Sequence, residues 1–388
     1  MARIALVGPS WPYRGGISRT TTQLALALER RGSLAAFLVA SRQYPRFLYP
    51  GTRDIDPHAC PRLPFAQPCF GVLQPLSWRR LLRSLRAAAP DAVALPFWTW
   101  AWTGMELCLQ HGRVGPVVGI IHNPVDHDAS WLGRRMSRLV LAGFRGFFCH
   151  ARAVEEGLRR QFPEVPVALH PLAAEPASAA DRQAARRRLG VGENAVAALC
   201  FGLIRPYKGV EVLLAAMRRL AADSPLVLLL AGEPWGSLGA EMRRQLADPL
   251  LAARVIARLE WIPEEEVGSW LGAADAMVLP YHAATGSAVA AQALGAGLPL
   301  VATRVGGLAE VVEDGVNGLL IPPGDATALA LALGRLADPA LRERLARGAR
   351  AAASRWSWDS YAAALERLVA DVIATQLSAI SYQLSAKG

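Results

Sequence analysis

The sequence of 388 residues predicts an α/β protein with two domains, each built on a doubly wound parallel sheet. Short, almost continuously apolar runs alternate with amphipathic stretches, which is typical of buried parallel strands joined by helices. The runs form two sets of six, separated near 172–181 by small residues and a proline. A hydrophobic content of 52% is ample for two cores.

The predicted elements follow one another in regular order. The candidate strands of the first domain are 2–8, 34–39, 92–96, 117–121, 146–149 and 166–169. Those of the second domain are 196–201, 226–231, 254–257, 276–279, 299–302 and 318–321. Helical patterns lie between them, for example at 17–31, 210–222, 263–271 and 287–294. Residues 44–77 are rich in proline and aromatic residues and lack periodicity, so we expect a long surface excursion there.

Composition restricts the class of partner. Residues 1–175 carry 21 arginines and 11 acidic residues, whereas residues 176–388 carry 21 charges of each sign, so the net charge of +10 belongs to the first domain. An anionic membrane surface and a phosphorylated acceptor both fit this field. No nucleic-acid partner is expected, because lysine-rich tails and a nucleic-acid module are missing from the sequence.

Cysteine usage and hydropathy indicate the compartment. The five cysteines are scattered without a CxxC spacing, which argues against a zinc site or a disulfide framework. No apolar run approaches a membrane-spanning length, and the N-terminus lacks a signal-peptide pattern. We therefore expect a cytoplasmic protein, working either free or at the inner face of the membrane.

One lysine marks the first candidate site. Arginine supplies 40 of the 42 basic residues, and apart from Lys387 in the tail the only lysine is Lys208, three residues after Arg205. A planar arginine fork and a compact ammonium just before a predicted helix suit a phosphate or diphosphate. Two further turns follow strands: the small residues of 283–288 open a helix, and Gly15 and Gly16 precede another.

These motifs resemble those of the retaining family-4 glycosyltransferases. The resemblance is carried by FGLIRPYKG and, further on, by LPYHAATGSAVAAQALGAGLPLVATRVGGLAEVVEDGVNGLLIPPGD. Weaker pieces are GPSWPYRGGIS, IIHNPVDHD, FFCHARAVEEGLRRQFP and the closing WSWDSYAAALERL. The resemblance spans residues 2–372 and implies the GT-B fold, two Rossmann-like domains that face each other across a cleft.

The resemblance also implies a domain plan. It assigns 1–175 to acceptor binding, 176–355 to the nucleotide-sugar donor and 356–375 to a helix that crosses back to the first domain, with a repeat-like tail at 376–388. The implied activity is a metal-independent, retaining hexosyl transfer to a glycan, lipid-linked or other hydroxyl acceptor. No cofactor is expected, since the nucleotide sugar is itself a substrate.

The resemblance implies a role for each site residue. Arg205 and Lys208 would hold the diphosphate, and His122 would contact the transferred sugar. Ile262 would read the base through its main chain. The remaining diphosphate contacts would come from the backbone of Gly15, Gly16, Gly286, Ser287, Ala288 and Val289.

Two positions depart from the family pattern. The family has two glutamates around the phosphate loop, where this chain has Ala284 and Gln292. Gln292 can hydrogen-bond ribose hydroxyls, but Ala284 cannot contact a sugar hydroxyl through its side chain. Either Thr285 or Ser287 compensates, the donor sugar is held differently, or activity is impaired.

Other acidic, aromatic and basic groups remain open. The pairs Asp54/Asp56 and Asp126/Asp128 resemble a metal-binding motif, but solvated turn acids are the commoner explanation, so we predict no metal. The tryptophans at 98, 100 and 102 either stack on an acceptor or pack inside. Two arginine stripes, at 79–86 and 134–138, are either solvated faces or membrane contacts.

Two rival functions share the fold prediction. A nucleotide-sugar epimerase would need no separate acceptor, and a non-catalytic nucleotide-sugar-binding partner would tolerate Ala284. A pyridoxal-phosphate phosphorylase is disfavoured, because the only candidate Schiff-base lysine is Lys208 in the phosphate turn. The sequence alone does not identify the donor sugar, its base, the acceptor or the oligomeric state.

Overall fold

The computed structural model describes residues 2–41, 55–56, 63–125, 130–174 and 181–385, with side chains to residue 378. The described residues divide into two compact units. The first unit comprises those up to Pro171 together with those from Trp358 onward, and the second runs from Leu172 to Ser357.

The first unit contains a seven-stranded parallel sheet with the order β3-β2-β1-β4-β5-β6-β7. Its strands are β1 Ile4–Gly8, β2 Leu34–Ala40, β3 Ala66–Phe70, β4 Ala92–Phe97, β5 Val117–Ile121, β6 Gly146–Cys149 and β7 Val167–Leu169. Its helices are α1 Gly16–Arg30, α2 Pro75–Ala88, α3 Thr103–His111, α4 Trp131–Gly143, α5 Arg152–Gln161 and α15 Trp358–Ser385.

Helices cover both faces of this sheet because its central strands are buried throughout, as in β1 and β4. Right-handed crossovers place α2 to α5 on one face, where Leu81, Met105 and Val140 enter the core. On the other face α15 packs against α1, β6 and β7. Arg31 at the end of α1 holds α15 through Asp359 at 2.7 Å and Glu366 at 2.8 Å.

The second unit contains a six-stranded parallel sheet with the order β10-β9-β8-β11-β12-β13. Its strands are β8 Val196–Phe201, β9 Leu226–Ala231, β10 Val255–Arg258, β11 Ala276–Leu279, β12 Leu300–Thr303 and β13 Gly318–Ile321. Its helices are α6 Arg182–Leu189, α7 Val210–Arg218, α8 Leu238–Leu246, α9 Pro249–Ala252, α10 Glu264–Ala273, α11 Ala288–Gly295, α12 Gly306–Val311, α13 Ala326–Arg335 and α14 Pro339–Arg355. Separate apolar clusters fill the two faces of the sheet.

The predicted fold class is confirmed: both units are Rossmann-like parallel sheets, and all twelve predicted strands are present. The prediction of an excursion over 44–77 is wrong for 66–70, which forms β3 and pairs with β2. This strand was missed because Gln67 and Pro68 are exposed and interrupt the apolar run. Proline is tolerated there because β3 is an edge strand with one neighbour.

The C-terminal residues extend a helix. α15 continues through the repeated residues to Ser385 and belongs to the first unit. Among the described residues, none of the helices combines the length and the hydropathy that crossing a membrane requires.

Candidate functional site

The turn that carries Arg205 and Lys208 follows β8 in the centre of the second sheet. Gly202 leaves the strand with φ of 96°, and residues Pro206–Lys208 form a 3-10 turn. Gly209, with φ of 63°, then begins α7. Because both glycines adopt left-handed conformations, the chain can reverse direction and place Arg205 and Lys208 at the carboxyl edge of the sheet.

Lys208 is almost fully enclosed, with 7% of its surface exposed. Its Nζ lies 5.5 Å from the centroid of the Tyr281 ring, within the range of a cation–π contact. Burial lowers the pKa of Lys208 from 10.5 to about 8, with a smaller opposing effect from Cys200. The ammonium is therefore held in an environment that favours an incoming anion.

Arg205 is held by a different loop. Its guanidinium lies 3.9 Å from the centroid of the Trp235 ring, which keeps the planar fork flat against the indole. The backbone supports this stacking: Ile204 N donates to Glu233 O at 2.9 Å and Trp235 N donates to Ile204 O at 2.8 Å. The turn after β8 is thus fastened to the turn after β9.

The half-buried Arg205 and the buried Lys208 share one property that separates them from the buried Arg186. Within the described ranges, neither Arg205 nor Lys208 forms an ion pair with a carboxylate. By contrast, the buried Arg186 is paired with Asp275 at 3.2 Å. A desolvated cation without a counter-ion costs stability, and such groups concentrate at binding sites.

A helix N-terminus approaches the lysine. A Cβ added at Gly202 would lie 3.3 Å from both Lys208 Nζ and Val289 Cγ2, so these two groups border the same point. Ala288 and Val289 are the first two residues of α11, and their N–H groups have no acceptor within the helix. Cationic side chains and free N–H donors therefore converge after β8 and β11.

Close backbone contacts lock this arrangement. His282 N donates to Tyr207 O at 2.7 Å, and His282 Nε2 lies 2.6 Å from Glu211 Oε1. A Cβ at Gly209 would overlap the Pro280 carbonyl oxygen. On the other side, Thr303 Oγ1 donates to Tyr281 O at 2.6 Å. The loop before α11 is thus fixed to the turn that follows β8 and to Thr303 at the end of β12.

The other predicted residues of this unit differ in how far their side chains are free to contact a ligand. The Ser287 hydroxyl accepts from Ala290 N at 3.2 Å and hydrogen-bonds Tyr281, so it is already engaged. Gln292 is half-buried on α11, and its side-chain amide makes no hydrogen bond with the described residues. Gly286 and Thr285 are also half-buried, whereas Ile262 is 95% buried in the core. Only the main chain of Ile262 is left to meet a ligand.

The predicted residues of the first unit lie at the carboxyl edge of its own sheet. Gly15 caps α1 with φ of 115°, and Gly16 is the first residue of that helix; both are exposed. His122 follows β5 and is fixed by donation from its N to Phe97 O at 2.9 Å. Burial, and then the neighbouring His150, lower the pKa of His122 well below its ordinary value, so the ring is neutral.

His150 was missed by the sequence reasoning. It directly follows β6, and its ring lies 4.8 Å from that of His122 and stacks at 5.7 Å on Tyr361. Burial lowers the pKa of His150 to about 4, and its Nδ1 lies 3.1 Å from His170 O. The signal was present, because a histidine directly after a predicted strand is placed as His122 is.

The remaining candidates are resolved in part. Asp54, Asp126 and Asp128 lie outside the described residues, as do Lys387 and residues 175–180, which make up most of the predicted boundary at 172–181. In the part of the chain that the structure describes, no three metal-ligating side chains are grouped to hold an ion. Trp98 and Trp102 are buried and pack at 4.6 Å, while Trp100 remains 38% exposed.

Comparison with known proteins supports one family. The model described as Glycosyltransferase Family 4 matches residues 14–173, and that described as Glycosyl transferases group 1 matches residues 195–338. The chain is 33% identical over 214 residues to a D-inositol 3-phosphate glycosyltransferase of Acidothermus cellulolyticus, covering 53% of this chain and 48% of that protein. It is 38% identical over 206 residues to the protein of the same name from Geodermatophilus obscurus, covering 49% and 45%. The chain spans about half the length of the curated relatives it matches.

Solved structures share the fold. Sucrose-phosphate synthase from Thermosynechococcus elongatus superposes with a TM-score of 0.72 at 21% identity, with both chains fully covered. HepE from Anabaena, solved in complex with UDP, gives a TM-score of 0.70 at 19% identity over 97% of this chain and 100% of that one. The first family model lies almost entirely in the first unit and the second family model lies in the second unit, and between them they match most of the chain. The chain therefore belongs to the group 1, family-4 glycosyltransferases with the GT-B fold.

Proposed function

We propose that this protein transfers a sugar from a nucleotide diphosphate sugar to a hydroxyl acceptor, with retention of configuration. The observation that carries the proposal is the pair of cations Arg205 and Lys208, which have no carboxylate partner in the described part of the chain, with Lys208 next to the N-terminus of α11. A diphosphate would neutralise both cations and accept hydrogen bonds from the free N–H groups of Ala288 and Val289.

The same groups would do the chemical work. Negative charge grows on the diphosphate as the bond to the sugar breaks, and preorganised cations stabilise that charge without reorganisation. We propose no metal for this step, since Arg205 and Lys208 supply positive charge where it develops. The departing diphosphate would take the proton of the acceptor hydroxyl. His122, Gly15 and Gly16 stay predicted contacts of the sugar and the diphosphate.

The acceptor is proposed only as a class. A glycan, a lipid-linked molecule or another hydroxyl compound would be bound by the first unit, and an anionic membrane surface is the proposed second partner. The four cysteines that the structure describes are free, which supports a reducing, cytoplasmic compartment.

A donor screen tests the proposal. Thermal unfolding of the full chain is measured with UDP-, GDP- and ADP-sugars, because a ligand that binds the native state stabilises it by mass action. One nucleotide class should raise the unfolding temperature, and UDP-glucose is the first probe because HepE has been solved with it. The absence of any shift across the panel would contradict the proposed donor site.

Product analysis separates the rivals. A transferase needs an acceptor, whereas an epimerase converts the donor alone into a second nucleotide sugar. A binding partner would show a thermal shift but no hydrolysis or transfer. Sugar epimerised without acceptor would therefore replace the transferase proposal, and binding without turnover would support the non-catalytic binding partner.

The pKa of Lys208 predicts how donor affinity depends on pH. Only the ammonium form attracts the diphosphate, and this form is lost as pH rises through about 8 in the free protein. Donor binding raises the pKa, so affinity should be constant below pH 8 and fall by up to about tenfold for each unit above it. Calorimetry of the binding probe between pH 7 and 9.5 measures this, with proton uptake appearing as a buffer-dependent enthalpy.

The matched control for this profile is Lys208→Arg, because a guanidinium stays charged throughout that range. Its donor affinity should be lower but independent of pH. A wild-type profile that is flat to pH 9.5 would show that Lys208 does not face the diphosphate.

A further inference from the structure

Several large apolar side chains of the first unit are exposed at one edge. Leu76, at the start of α2, is 80% exposed, and Leu73 just before it is 57% exposed. Trp131 and Leu132, at the start of α4, are 74% and 45% exposed. A tryptophan and a leucine open to this degree contribute nothing to the core, and their grouping points to a partner.

These residues belong to one side of the unit. α2 and α4 both begin after the carboxyl end of a strand, and the carboxyl ends of parallel strands share one edge of the sheet. α3 joins the two helices: a Cβ at its Gly104 would lie 2.8 Å from Trp78 of α2, and its Gln110 Nε2 donates to Val140 O of α4 at 2.8 Å. The exposed tips of α2 and α4 therefore flank α3 at this edge.

Exposed arginines accompany the apolar tips along the same helices: Arg79, Arg80 and Arg83 on α2, and Arg134, Arg135 and Arg138 on α4. Within the described residues, none of the six forms an ion pair with a carboxylate. Some exposed arginines of the second unit are paired instead: Arg182 pairs with Asp275 at 2.6 Å, and Arg347 pairs with Glu343 at 3.3 Å. The positive charge on α2 and α4 is thus left for an external partner.

We propose that the α2–α4 surface, defined as Leu73, Leu76, Trp131, Leu132 and these six arginines, docks on a membrane that contains anionic lipids. Indole and leucine side chains enter the interfacial layer, while arginines along the same helices reach the phosphates. Either signal alone gives weak binding, and the combination gives stable attachment. A membrane at this surface would bring a lipid-linked acceptor to the sheet edge that carries His122, and only for this link to catalysis does the inference rest on the proposed function.

Vesicle flotation of the full chain tests the surface. We expect binding to vesicles that contain phosphatidylglycerol together with phosphatidylcholine. Vesicles of phosphatidylcholine alone should bind little protein, and binding should be lost as salt rises. The triple variant Arg134→Glu, Arg135→Glu, Arg138→Glu should bind at least about tenfold more weakly. Trp131→Ser should weaken binding by about tenfold as well, since one interfacial anchor is lost.

The second unit supplies matched controls. Arg187→Glu, Arg335→Glu, Arg344→Glu makes the same change in charge on exposed arginines of that unit, and Leu331→Ser removes a leucine that is 68% exposed. Both should bind vesicles as the wild type does. Equal loss in the control, equal binding to neutral vesicles, or no binding at all would overturn the inference. Tighter binding to an RNA oligonucleotide than to anionic vesicles, unaffected by Trp131→Ser, would also overturn it in favour of a polyanion.

Donor binding separates the two proposals. The α4 variants should keep the thermal shift with UDP-glucose, because Arg205 and Lys208 lie in the other unit. Vesicle binding without any donor shift would refute the transferase proposal and leave the membrane surface standing. A donor shift without vesicle binding would refute the membrane surface and leave the transferase proposal standing.

Discussion

Replacing Lys208 by alanine should lower turnover by about 100-fold or more while the fold stays intact, because one preorganised charge at a developing oxyanion is worth that much. The protein should not become less stable through the loss of the charge itself, since the buried ammonium has no counter-ion among the described residues. Turnover is measured with the donor that the thermal-shift screen identifies, and the fold is checked by circular dichroism.

Two variants make this result specific. Lys208→Met keeps most of the aliphatic bulk without the charge, so it should lose as much turnover as alanine if charge is the cause. Arg335→Ala removes an exposed basic residue on α13 and should leave transfer unchanged. Near-normal transfer by Lys208→Ala with an intact fold would refute the assignment of the donor site.

Substituting Gly209 by alanine should reduce turnover by about 100-fold through displacement of the loop, since misplacement of catalytic groups by about 1 Å costs this much. The new Cβ would overlap the carbonyl oxygen of Pro280, and a backbone carbonyl cannot rotate away as a side chain would. Lys208 and the loop before α11 would then separate. Turnover and the unfolding temperature are both expected to fall.

Gly324 provides the control for backbone strain. Its φ of 75° resembles the 63° of Gly209, but a Cβ there would meet nothing within 4 Å. Gly324→Ala should therefore cost stability of about 1 kcal/mol from the left-handed conformation, with transfer retained. If both alanine variants behave alike, strain alone accounts for the loss and the contact with Pro280 is unimportant.

Burial determines which strands could be predicted from the sequence. Strands such as β4 and β11 are enclosed on both faces, so each reads as an uninterrupted apolar run. β3 is open at one edge, and its exposed Gln67 and Pro68 removed the apolar pattern. A strand that is half in solvent is specified by its neighbour β2 more than by its own composition.

Part of the candidate site could also be predicted from the sequence. Arg205 and Lys208 stood out by their residue type and their place before a helix. Their supports did not, because Trp235 and Tyr281 follow other strands, about 30 and 70 residues further along the chain, and reach the turn only when strand ends meet at one sheet edge. His150 was overlooked because its partner His122 follows a different strand, β5, and the two rings meet only in the folded sheet.

The sequence by itself determined the parallel α/β architecture, the family, and the turn that carries Arg205 and Lys208, since each is encoded by residues close together in the chain. Only the tertiary structure decided that Gly202 lets Lys208 and α11 approach one point, and that, among the residues the structure describes, neither these two cations nor the arginines of α2 and α4 pair with a carboxylate. The reason is physical: periodicity reports the burial of a segment, whereas ion pairing, desolvation and backbone contact depend on residues that meet only after the sheets have assembled.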